Sequence, residues 1–150
     1  MTLNQEVDAL RRVPLFRQIE ARRLKLLAFT SERLVFSKSE DVVVQGDPGD
    51  ACYIILDGDA DVLVSTPAGN ISVATLGKNE VIGEIAILTG VPRTATVRAN
   101  TELTALKVGK ETFFQLVGEV PEMAMEIMRE LARRLERTTA ELQRARSVNS

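Results

Sequence analysis

The sequence predicts an α+β fold, an antiparallel β-roll of the jelly-roll kind with short helices before it and one long helix after it. Short β-branched runs alternate with Gly, Pro, Asn and Asp turn chemistry from Arg33 to Val108. Apolar residues recur at helical spacing on both sides of that zone. With 150 residues, 45% of them apolar and 27% charged, the chain has the size and balance of one globular domain.

Residues 1–30 carry Leu10, Val13, Leu24, Leu27 and Ala28 at helical spacing. Pro14 lacks an N–H and pushes Val13 out of helical geometry, so two short helices are expected, joined by a tight turn at Val13–Phe16. Strands are expected at Val42–Val44, Tyr53–Leu56, Val62–Val64, Ile71–Leu76, Ala95–Arg98 and Leu103–Val108 within a roll spanning 31–109. Gly46-Asp47-Pro48-Gly49-Asp50, Asp57-Gly58-Asp59, Pro67-Ala68-Gly69-Asn70 and Gly77-Lys78-Asn79 punctuate them. This spacing suits an antiparallel sandwich or barrel and not alternating βαβ units. Glu84-Ile85-Ala86-Ile87-Leu88 is either a buried strand or one helical turn, because periodicity does not separate the two in so short a run.

Helices follow over 110–146: a short one from Lys110 to Val117 ending near Gly118, and a long one with Pro121 in its first turn. Along the long helix Ala124, Met128, Leu131, Leu135, Thr138, Leu142 and Ala145 alternate four and three apart. Met123 and Ile127 widen the apolar arc at its start. The wide arc suits packing on the parent domain, and the narrow seam beyond it predicts a homodimer through this helix, weakened by Thr138 and Ala145. Arg129, Arg133, Arg134 and Arg137 read as a solvated face, and 147–150 as a polar tail.

Composition removes several classes of function. The chain has no histidine, which excludes Ser-His-Asp and Cys-His nucleophiles, His-ligated zinc and His-based acid–base chemistry. No paired carboxylates stand out, so the expectation is a non-enzyme with no catalytic residue, no metal and no cofactor. A net charge of −2 does not suit a nucleic-acid surface, and no nucleic-acid partner is expected for this chain alone. Cys52 is the only cysteine, no apolar run approaches the ~20 residues of a membrane span, and no signal peptide is evident. These features predict a soluble, cytoplasmic protein.

One stretch, Gly83 to Val97, places Glu84 and Arg93 nine residues apart among apolar and small residues. Burying either charge without a partner is costly. Two readings stand: a Glu84–Arg93 ion pair tying a loop to the sheet, or two charges facing a bound anion. In the second, a helical turn after Gly83 would offer its free N–H groups, and Arg93 a planar, permanently charged fork.

Every position of Gly83-Glu84-Ile85-Ala86-Ile87 and Pro92-Arg93-Thr94-Ala95-Thr96 matches the phosphate-binding cassette of cyclic-nucleotide-binding domains, G-E-[hydrophobic]-A-[hydrophobic]-…-P-R-[AST]-A-T. The chain resembles that family further at Pro14-Leu15-Phe16, Gln45-Gly46-Asp47 and Tyr53-Ile54-Ile55-Leu56-Asp57-Gly58. The resemblance covers 1–146 and implies a sensor of cAMP, alternatively cGMP. It implies that Arg93 binds the equatorial oxygen of the cyclic phosphate and that Glu84 holds the ribose 2′-hydroxyl. The N–H groups of Ile85, Ala86 and Ala95, with the Thr94 hydroxyl, would complete the contacts beside Gly83. An empty site would let Glu84 and Arg93 bridge each other. Thr94 leaves the base open, since a hydroxyl here also serves the guanine amino group.

Ala132-Arg133-Arg134-Leu135-Glu136-Arg137-Thr138-Thr139 is similar to the dimer helix of Crp/Fnr-type regulators. That likeness implies that Thr138 and Thr139 reach the adenine amino group, one from each subunit. It also opens an alternative, the sensing fragment of a DNA-binding transcription regulator, although no helix-turn-helix pattern occurs in this chain.

Overall fold

The computed structural model describes residues 2–149, the last three by backbone alone. The chain begins with α1 (Leu3–Arg11), a 3-10 turn at Pro14–Phe16 and α2 (Ala21–Thr30). Thr2 caps α1: its hydroxyl accepts from the Gln5 N–H, and the Gln5 side chain accepts from the Thr2 N–H. Pro14 opens the 3-10 turn as expected from its fixed φ.

Among the described residues eight strands follow: β1 (Glu32–Phe36), β2 (Asp41–Val43), β3 (Ala51–Asp57), β4 (Ala60–Thr66), β5 (Gly69–Leu76), β6 (Val81–Ile82), β7 (Thr96–Ala99) and β8 (Leu103–Gly109). They form two four-stranded antiparallel sheets, ordered β1-β8-β3-β6 and β2-β7-β4-β5. β1 and β6 were not among the six runs expected as strands. The pair Val81–Ile82 is too short to show alternation, yet it pairs with Tyr53 and Ile54.

The two central strands explain how the layers stack. Every residue of β3 from Ala51 to Leu56 is buried, so both of its faces are covered. Period-2 geometry divides them. Ala51, Tyr53 and Ile55 join Ala105 and Leu103 of β8 in the interior of the roll. Cys52, Ile54 and Leu56 join Leu106 and Val108 on the opposite face, under the helices. Burial pushes the Cys52 thiol up to about 12, with Glu84 adding to the shift.

The helical layer is completed by α3 (Glu84–Thr89), α4 (Lys110–Glu119) and α5 (Pro121–Asn149). α4 ends at Glu119 and breaks at Val120, close to the stop expected near Gly118. α5 enters the stretch expected as a polar tail, whose last residue, Ser150, lies outside the described residues. Phe113, Met123 and Ile127 anchor these helices on Leu10, Phe16 and Leu24. Arg17 clamps the start of α5 by donating to the buried Glu126 carboxylate at 2.7 Å, which holds that carboxyl below its ordinary range. Among the described residues no helix is long and apolar enough to cross a membrane.

Candidate functional site

The cassette is held by three local devices. β6 delivers the chain to Gly83, whose φ of +87° is the left-handed region that turns the strand into α3. The choice left open for Glu84–Leu88 therefore falls to the helix. Gly90, also left-handed, ends it, with its N–H bonded to the Ala86 carbonyl at 3.0 Å. The backbone of Arg93 is then pinned on both sides: its N–H bonds the Asp47 carbonyl, and its carbonyl accepts from the Gly46 N–H, each at 2.8 Å.

Arg93 is 5% exposed and reaches under Gly83. Its Nη1 donates to the Gly83 carbonyl at 3.0 Å and its Nη2 to the Ala51 carbonyl at 2.6 Å. Both partners are neutral oxygens. The fork is fixed in place while, among the described residues, its charge meets no carboxylate and three of its five N–H donors remain for another acceptor.

Glu84 is 9% exposed and does not pair with Arg93, which corrects the expected ion pair between the two. Its Oε1 accepts instead from Nη2 of Arg134 on α5, at 2.9 Å. Arg134 is shared: its Nε lies 3.4 Å from Glu130, whose carboxylate also faces Arg133 at 3.2 Å and Arg137 at 3.8 Å. Arg134 is thus part of the site and not of a solvated face. The helical stripe that begins with the buried Met123 and Ile127 continues through the half-buried Glu130 and Arg134 to Arg137, which brings these three charged side chains to the cavity beside the cassette.

A cavity of about 490 Å³ lies between these parts. Gly83, Glu84, Ile85, Ala86, Arg93, Thr94 and Ala95 all line it, as do Glu130, Arg134 and Arg137. Val62, Val97 and Ala74 supply an apolar wall from the roll. Thr96 is structural, its hydroxyl accepting from the Gln45 N–H at 2.9 Å. Thr138 and Thr139 are exposed on α5 and do not line the cavity of this single chain. The cavity volume suits a small organic ligand, and the uncompensated guanidinium beside a helix start suits an anionic group on it.

A roll of this topology bearing this cassette defines a class of ligand-binding regulatory domain, and the chain belongs to the cyclic nucleotide-binding domain family, whose model matches residues 33–119. It is 29% identical over 136 residues to a CRP-like cAMP-activated global transcriptional regulator of Mycobacterium tuberculosis, covering 90% of this chain and 61% of that protein. It is 34% identical over 111 residues to the cAMP-dependent protein kinase regulatory subunit of Yarrowia lipolytica, covering 74% of this chain and 29% of that one. Its fold is similar to the Thermus thermophilus catabolite activator protein, with a TM-score of 0.78, 27% identity, and coverage of 87% and 62%. The chain therefore spans less than two thirds of each of these relatives.

Proposed function

We propose that the chain is a cytoplasmic sensor of a 3′,5′-cyclic nucleotide, cAMP first and cGMP as the alternative, acting through its C-terminal helix and without catalysis. The observation that carries this is Arg93: a buried, fully oriented guanidinium with only carbonyl partners, opening on a cavity of nucleotide size. A cyclic phosphate brings one negative charge and acceptor oxygens to it. The N–H groups of Ile85 and Ala86, at the start of α3, and that of Ala95 complete the cradle. Glu84 then accepts from the ribose 2′-hydroxyl, while Thr94 faces the phosphate or the base.

The same geometry supports a coupling mechanism. Arg134 donates to the same Glu84 carboxylate that would accept from the ribose, so a bound ribose shares or displaces that contact and α5 feels the change. The position of α5 and the state of Glu84 become one equilibrium. Calorimetry with cAMP and cGMP tests the reading: binding of at least one in the micromolar range is expected, and no binding of either at millimolar concentration would refute it. An Arg134→Gln variant separates coupling from binding. It should still bind, with affinity changed by roughly tenfold or less, but binding should no longer shift the protection of α5 amides from hydrogen exchange.

Met128, Leu131, Leu135 and Leu142 remain exposed along α5, which supports a homodimer through this helix. The dimer would bring Thr138 of one subunit and Thr139 of the other toward one base. Light scattering at tens of micromolar should give twice the chain mass, and a monomer with nucleotide present would overturn the arrangement. The likeness to the M. tuberculosis regulator over 61% of its length favours a second reading, in which this domain is the sensing part of a transcription regulator.

A further inference from the structure

We propose that the outer face of α2 is a docking surface for an acidic amphipathic helix of a partner protein. Phe29 is 77% exposed and Leu26 63%, three residues apart on one helix and therefore side by side. With Leu3 they form the apolar floor of a groove of about 530 Å³, whose other walls are Arg22, Arg23 and Lys25. A second groove, about 270 Å³, lies on the far side of Leu26, between α2 and α4, and includes Leu27, Thr30, Thr112 and Leu116. Two ordered grooves flanking an apolar ridge receive side chains from a helix laid along them.

The charges select the occupant. The α2 sequence from Ala21 to Thr30 contains three basic residues and no acidic one, in a chain of net charge −2. Arg23 is partnered by Glu119 of α4, leaving Arg22 and Lys25 to face an incoming carboxylate. Arg22 and Lys25 along one flank of the apolar ridge, opposite the flank where Glu119 neutralises Arg23, are complementary to leucine or phenylalanine anchors bordered by glutamates. A bilayer surface fits less well, because only two large apolar side chains, Leu26 and Phe29, project from this face. The face shares no residue with the nucleotide cavity, so it is a separate site.

Fluorescence anisotropy on the full chain provides the test, with a labelled helical peptide of about 18 residues carrying Leu and Phe at i, i+3, i+4 and i+7 and Glu on both flanks. Saturable binding is expected, weakening as salt is raised. Leu26→Ser and Phe29→Ser, both at exposed positions, should each lower affinity by roughly tenfold without moving Tm. Arg22→Gln with Lys25→Gln should weaken binding and largely remove its salt dependence. The proposal is overturned by no binding at millimolar peptide, or by equal binding of a Lys-flanked or scrambled peptide. It is equally overturned if Leu26→Ser and Phe29→Ser instead release the protein from phosphatidylglycerol vesicles, or change only its self-association.

Discussion

Arg93→Ala is expected to lower affinity for cyclic nucleotide by about 30- to 150-fold, or ~2–3 kcal/mol, measured by calorimetry at fixed salt. That range follows from losing charge-assisted bonds to one anionic group. A second effect comes with it. The guanidinium also satisfies the Gly83 and Ala51 carbonyls, so alanine leaves two buried acceptors unmatched and Tm should fall as well. Arg93→Lys discriminates between the two roles. It keeps the charge but not the fork, and should restore part of the binding while Tm stays low. Unchanged affinity in Arg93→Ala would remove the phosphate from this position.

Gly83→Ala should do comparable damage by a different route. The backbone there has φ +87°, which costs an L-residue roughly 1–2 kcal/mol. A Cβ would also sit 1.9 Å from Arg93 Nη1, so the fork itself must move. At least a tenfold loss of nucleotide affinity is expected, together with a lower Tm. Gly69→Ala is the matched control: its φ is +108° but nothing lies within 4 Å of the added carbon. Gly69→Ala should lose stability and keep binding. If the two variants bind alike, the contact between Gly83 and Arg93 is not what positions the phosphate group.

Much of this architecture was legible because local chemistry and tertiary structure agree. The turn glycines, the alternating strands and Pro121 each sit where their backbone preferences put them. The cassette residues from Gly83 to Ala95 are contiguous enough for a single motif to gather them around one cavity. What escaped was non-local. Arg134 lies 50 residues beyond Glu84 and looks like one of several surface arginines until α5 is docked. Its signal was present in the continuation of the Met123–Ile127 stripe through Glu130 and Arg134, a second helical face beside the apolar seam. Gly118 marked the end of α4 to within one residue, because its low helix propensity falls where the packing of Phe113 and Leu116 runs out. The ion pair expected between Glu84 and Arg93 is not formed: the Glu84 carboxylate is taken by Arg134, while the Arg93 fork is oriented toward the Gly83 and Ala51 carbonyls.

Cys52 has a consequence of its own. The single thiol of the chain lies completely buried on β3, protonated at any physiological pH, behind the cassette charges. A reagent that needs a solvent-accessible thiolate reacts only through conformations in which this layer has parted. Its labelling rate is therefore a clock for transient opening, and ligand that holds the layer shut must slow that clock in proportion to its occupancy.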